Sequence, residues 1–255
     1  MARRDQIGAA IQAATSAGRP ALVGFLTAGF PSRASFKDNL AAVAAGCDVV
    51  EIGVPFTDPM ADGTTIQRAS FAALADGVTL PWILAELGSL TTRPTAPILL
   101  MSYLNPLLAH GLDRLPGDAA AAGISGFIVP DLPFEESAEL KTALDREGLA
   151  LVQMVTPVTP DERLARLCAA AQGFVYAVTM TGTTGKAVTV PDEVLAYMDR
   201  VKKVSPVPVC AGFGIRTREQ VARFAAHVDG VVVGSALVET LERGDNPRAF
   251  LASLR

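Results

Sequence analysis

Val49-Val50-Glu51-Ile52-Gly53-Val54-Pro55-Phe56-Thr57-Asp58-Pro59-Met60-Ala61-Asp62-Gly63 is an apolar run that holds one carboxylate and then breaks, at Pro55, into a loop that holds two more. Its first five residues have the length and continuous hydrophobicity of a parallel strand buried on both faces. Alternation puts Val49, Glu51 and Gly53 on one face and Val50 and Ile52 on the other. A bare buried carboxylate is costly, and the cost appears as lost stability or as a raised pKa. If Ile52 faces outward, Glu51 points inward among apolar neighbours and can hold a proton at neutral pH. The alternative is a Glu51 paired with an Arg or Lys from elsewhere in the chain. Asp62 beside Gly63 and Asp58 before Pro59 also fit ordinary turns, and nothing local separates the readings.

Seven similar runs flank this one: Ala21–Thr27, Pro97–Ser102, Gly126–Val129, Ala150–Val155, Phe174–Val178, Pro208–Ala211 and Gly230–Val233. Ala/Leu-rich helical stretches lie between them, at Ser35–Ala45, Leu80–Leu90, Asp113–Ala122, Glu135–Glu147, Asp161–Ala171, Asp192–Lys203 and Thr217–Ala226, with Pro247–Leu254 last. Thr79, Asp161 and Thr217 are candidate N-caps, and Gly148 carries the C-terminal glycine signature. Eight strands alternating with helices over 255 residues predict one (β/α)8 barrel, the TIM-barrel architecture, with no composition break marking a second domain. A doubly wound open sheet is the rival, but no Gly-x-Gly-x-x-Gly follows the first strand. Ile7, Ala10, Ile11 and Ala14 share one helical face, so an extra N-terminal helix should pack on the body.

Composition narrows the function classes. Half the residues are hydrophobic and the net charge is −4, with no Lys/Arg cluster, which argues against nucleic acid. No apolar run reaches the ~18 residues of a membrane span, and the first 18 residues make a poor signal peptide. Cys47, Cys168 and Cys210 are widely spaced, as expected of a reduced, cytoplasmic protein in which each is a small buried residue. His110, expected in a loop, and His227, at a helix end, are expected to be surface or packing residues, so metal is not expected, though a carboxylate-only Mg²⁺ site needs no histidine.

Barrel active sites lie at the C-terminal ends of the strands. The sixth run brings Phe174 and Tyr176 to one face, and the Thr/Gly-rich stretch from Thr179 to Lys186 follows as a candidate lid. The seventh run ends in Gly212-Phe213-Gly214 and the eighth in Gly234-Ser235. Glycines at those two ends, with a short helix predicted over Ser235–Glu242, point to a phosphate held by backbone N–H groups. The residues therefore predict carboxylate acid/base chemistry on a small phosphorylated substrate. They leave open a sugar-phosphate isomerase or epimerase, and a barrel that binds phosphate without catalysis.

Glu51 to Pro59, Ala61-Asp62-Gly63 and Ile66-Gln67, with Tyr103-Leu104-Asn105-Pro106, Pro130-Asp131-Leu132-Pro133, Gly182-Thr183-Thr184-Gly185, Gly212-Phe213-Gly214-Ile215 and Gly234-Ser235, closely resemble the tryptophan synthase alpha chain family, in the family's order over nearly the whole chain. The resemblance implies a lyase of tryptophan biosynthesis that splits indole-3-glycerol phosphate into indole and glyceraldehyde 3-phosphate. It implies Glu51 as the general acid/base and Asp62 as the ionised carboxylate that binds the indole N–H. Phe25, Tyr103, Tyr176 and Phe213 match the indole pocket; Gly185, Gly212, Phe213, Gly214, Gly234 and Ser235 match the phosphate loops; Thr184 matches the lid threonine. Pro55, Asp58 and Asn105 match the face turned to a beta chain, which carries pyridoxal phosphate in an alpha2-beta2 heterotetramer, while the alpha chain itself holds no cofactor. Thr57 and Thr64 stand where the family usually has Ser and often Pro, and Met180 where some members have Arg.

Overall fold

The apolar runs become eight parallel strands that close in chain order into one barrel, in a computed structural model that describes residues 1–179, 190–212 and 214–255. The strands are β1 (Ala21–Thr27), β2 (Val49–Gly53), β3 (Ile98–Met101), β4 (Ile124–Ile128), β5 (Ala150–Val155), β6 (Val175–Val178), β7 (Val209–Gly212) and β8 (Gly230–Val233). Helices α1 (Arg3–Ser16), α2 (Phe36–Ala44), α3 (Thr64–Ala75), α4 (Leu80–Gly88), α5 (Leu104–His110) and α6 (Leu115–Ala122) alternate with the first four strands. Then come α7 (Ala138–Arg146), α8 (Asp161–Ala170), α9 (Asp192–Val204), α10 (Arg218–Phe224), α11 (Ser235–Glu242) and α12 (Pro247–Ser253). No single helix among the described residues is long and apolar enough to cross a membrane.

Strand alternation sorts the core into two layers. Leu22, Leu26, Val50 and Ile52 pack outward with the helices. Ala21, Val23, Val49, Leu99, Ile128, Val152, Phe174 and Val232 fill the barrel interior together with Ile7, Ile11 and Ala14 of α1. The N-terminal helix thus plugs the barrel with the stripe its sequence predicted, and the opposite end is left to the loops. Register places Glu51 between Phe25 of β1 and Leu99 of β3.

Several local expectations are corrected. Two helices, α3 and α5, were not expected. The Ile66, Ala69, Ser70, Ala73 stripe of α3 sits inside a stretch dominated by its loop, and α5 carries Pro106 in its first turn, where the missing N–H costs nothing. The expected helix Glu135–Glu147 is broken into a 3₁₀ turn at Phe134–Glu136 and α7, because the Ser137 hydroxyl donates back to the Phe134 carbonyl at 2.7 Å. Asp161 is the first residue of α8, after an extended Pro160, rather than its cap. Thr79 and Thr217 do cap, the latter in a reciprocal box with Gln220. His110 ends α5 instead of lying in a loop, and it is buried, with Nε2 2.8 Å from Asp118.

Candidate active site

Glu51 sits at the centre of β2 with its side chain inside the barrel and 1% exposed. One carboxyl oxygen, Oε2, has no hydrogen-bond partner, and no Arg, Lys or His among the described residues forms an ion pair with this carboxyl. Among the described residues, then, the paired reading of Glu51 finds no partner. Burial, and then the negative charge of Asp62, push its pKa up to about 8.

Asp62 ends the loop that leaves β2, just before the Gly63 N-cap of α3. The Tyr103 hydroxyl fixes that loop twice: it donates to Asp62 Oδ2 at 3.2 Å and accepts the Ala61 N–H at 2.9 Å. The Gln67 amide donates to the Asp62 carbonyl at 2.9 Å and so ties the loop to the first turn of α3. Burial raises the Asp62 pKa to about 6, against the pull of the Tyr103 hydrogen bond. Asp62 is thus half-buried, not an ordinary solvated loop aspartate, yet ionised at neutral pH. Two carboxyls close enough to feel each other hold opposite protonation states near pH 7: Glu51 mostly neutral, Asp62 mostly charged.

Aromatic and aliphatic side chains enclose the pair. The Phe25 ring lies where a side chain on Gly53 would point, 2.5 Å from that position, so only glycine fits there. The Tyr176 ring covers Gly212 in the same way. Tyr176 stays protonated, its pKa driven up by burial and then by Glu51 and Asp62. Phe25 packs with Phe30, Ala69 and Val238, and with Ile66 and Met101. Tyr103 stacks on Phe56 with centroids 5.1 Å apart. Ile66, Met101 and Val238 are not among the site residues expected from the sequence. Ile66 and Val238 lie on helices whose inward stripes could have flagged them, one of which was itself missed.

At the far side of the mouth, β8 runs through Gly234 directly into α11, which starts at Ser235. The first N–H groups of a helix have no partner inside it and carry the positive end of its dipole. The nearest atom to a side chain on Gly234 would be Ile66 Cδ1 at 3.8 Å, so the approach is open. Gly212 ends β7, with Gly214 beyond it, on the same side. Arg216, also missed, forms a two-pronged bridge to Glu239 of α11 at 2.7 and 2.9 Å, and Thr65 of α3 donates to the same carboxylate. That bridge commits the arginine's charge to tying the loop after β7 to α11 and α3.

The expected site residues Phe25, Glu51, Asp62, Tyr103, Tyr176, Gly212, Gly214, Gly234 and Ser235 therefore gather around one barrel mouth. Thr184, Gly185, Phe213 and Met180 lie outside the described residues. Of the residues expected to face a partner, Asp58 and Asn105 are exposed, whereas Pro55, two residues past the end of β2, is buried within the chain. Met60 and Leu108, exposed by 83% and 50%, were not anticipated on that rim.

The family model described as "Tryptophan synthase alpha chain" matches residues 11–254. The chain is 47% identical to the tryptophan synthase alpha chain of Solidesulfovibrio magneticus over 246 residues, 96% of each, and 46% identical to that of Desulfovibrio desulfuricans over 245 residues, 95% of this chain and 96% of the other. Among solved structures, a tryptophan synthase chain from Mycobacterium tuberculosis superposes with a TM-score of 0.88 at 38% identity, covering 97% of this chain and 96% of that one. The alpha subunit from Legionella pneumophila gives 0.87 at 32% identity, covering 100% and 97%. On the strength of the family match, the identities and the shared architecture, this chain belongs to the tryptophan synthase alpha chain family.

Proposed function

We propose that this chain carries out the alpha reaction of tryptophan biosynthesis, the retro-aldol cleavage of indole-3-glycerol phosphate to indole and D-glyceraldehyde 3-phosphate, with Glu51 moving the protons and Asp62 holding the indole N–H. The observation that carries the assignment of roles is the buried Glu51 carboxyl with its unpartnered oxygen beside a second carboxyl of lower pKa.

The neutral Glu51 carboxyl donates its proton to the ring carbon that bears the side chain. Positive charge then develops on the ring nitrogen, and ionised Asp62 accepts its N–H. Glu51, now a carboxylate, takes the proton of the hydroxyl on the carbon attached to the ring. The bond between that carbon and the ring breaks, its electron pair restores the aromatic indole, and the carbon becomes the aldehyde. Glu51 ends protonated, as it began, so protons balance over the cycle. Phe25, Tyr103 and Tyr176 hold the indole plane. Backbone N–H groups at Gly212, Gly214, Gly234 and Ser235, aided by the start of α11, bind the phosphate, which suits a mouth whose Arg216 is already neutralised by Glu239.

The exposed Asp58 and Asn105, with Met60 and Leu108 beside them in sequence, suit a protein partner. We take that partner to be a beta chain bearing pyridoxal phosphate, in an alpha2-beta2 assembly in the cytoplasm. This chain needs no cofactor of its own for the cleavage described. The test is product stoichiometry: with a beta chain present, the purified protein should release indole and glyceraldehyde 3-phosphate one for one. Turnover of a pentose phosphate with no indole would overturn the reading.

A further inference from the structure

Thr27 is the last residue of β1, 1% exposed, and its hydroxyl oxygen has no hydrogen-bond partner among the described residues. The alternation of β1 is well marked: Ala21 and Val23 lie in the interior core, Phe25 in the mouth cluster, while Leu22 and Leu26 face the helices. A side chain on Gly24 would also strike the helix side, at Val43. Thr27 therefore projects inward at the mouth, directly above Phe25. A buried hydroxyl without a partner destabilises a fold, and valine would fill the same space without that cost.

The neighbours of β1 say what the hydroxyl faces. On one side β1 pairs with β2, with Thr27 opposite Gly53, two residues after Glu51. On the other it pairs with β8, which leads into Gly234 and α11. The strand stands between the carboxylate end of the mouth and its phosphate end. A substrate with its ring at Glu51 and its phosphate at Ser235 must lay its glycerol chain across the top of β1.

We propose that Thr27 is a substrate-binding residue whose hydroxyl hydrogen-bonds a hydroxyl of the glycerol chain and fixes the scissile bond relative to Glu51. The proposal rests on the cleavage reading above and adds the contact that distinguishes a hydroxylated chain from a bare one. A hydroxyl kept dry for a substrate hydroxyl rejects an analogue that lacks it.

The test compares wild type, Thr27→Val and Thr27→Ser, each with a beta chain. Two readouts are kcat/KM for indole release from indole-3-glycerol phosphate and the Kd of indole-3-propanol phosphate, whose chain has no free hydroxyl. Thr27→Val should lower kcat/KM by tenfold or more, leave the propanol phosphate Kd within about twofold, and unfold no earlier than wild type. Thr27→Ser should retain most of the activity. An unchanged kcat/KM, an equal loss for both ligands, or a Thr27→Val chain that fails to fold would each overturn the proposal. If wild type itself releases no indole, the cleavage reading has failed, and the Thr27 proposal falls with it.

Discussion

At the residue scale, the chain keeps a carboxyl in the barrel interior at a cost that can be read against pH. The Glu51 pKa of about 8 lies well above its ordinary 4.5, so folding favours the protonated form. No penalty exists below about 4.5; it grows as pH rises and is complete above about 8, where it amounts to several kcal/mol. Glu51→Gln removes the ionisation, so the variant should unfold at a Tm that exceeds wild type by more at pH 8 than at pH 5. Equal Tm differences at both pH values would contradict the buried, unpaired carboxyl. Tyr103 offers a second handle. Its hydrogen bond lowers the Asp62 pKa, so Tyr103→Phe should move the acidic limb of the rate profile upward by up to about one pH unit.

At the scale of elements, α1 fills the barrel floor and the loops build the mouth, so the two ends should respond separately to substitution. Ile11 is fully buried, and Ile11→Ala should cost ~2–5 kcal/mol in denaturant unfolding while kcat stays near wild type. A large loss of kcat with intact stability would mean that the floor and the site are coupled. The strands were legible because a run such as Val49–Gly53, buried on both faces, leaves a continuous apolar signature, and the α1 stripe was legible for the same reason. The helix α3 was not, because its apolar stripe is short and follows a loop read for its carboxylates. Glu51 and Asp62 stood out by their position at one strand mouth. Arg216 gave no local signal, because its partner Glu239 is 23 residues away and only the barrel closure brings them together. Pro55 matched a partner face by resemblance alone, and its burial follows from packing that no motif records.

At the scale of the whole molecule, the barrel brings a proton donor, an anion and a helix N-terminus to one mouth and orders their charge states. The proposed first step takes Asp62 ionised and Glu51 protonated. The kcat/KM for indole release should therefore rise with pH through about 6 and fall above about 8, giving a bell between them. A profile flat from pH 5 to 9 would contradict the division of labour. The most direct test is indole release by Glu51→Gln in the presence of a beta chain, with indole-3-propanol phosphate binding as the control for an intact site. The account predicts that release falls by several orders of magnitude while the analogue still binds. Near-wild-type release by that variant would show that Glu51 is not the proton-transfer group.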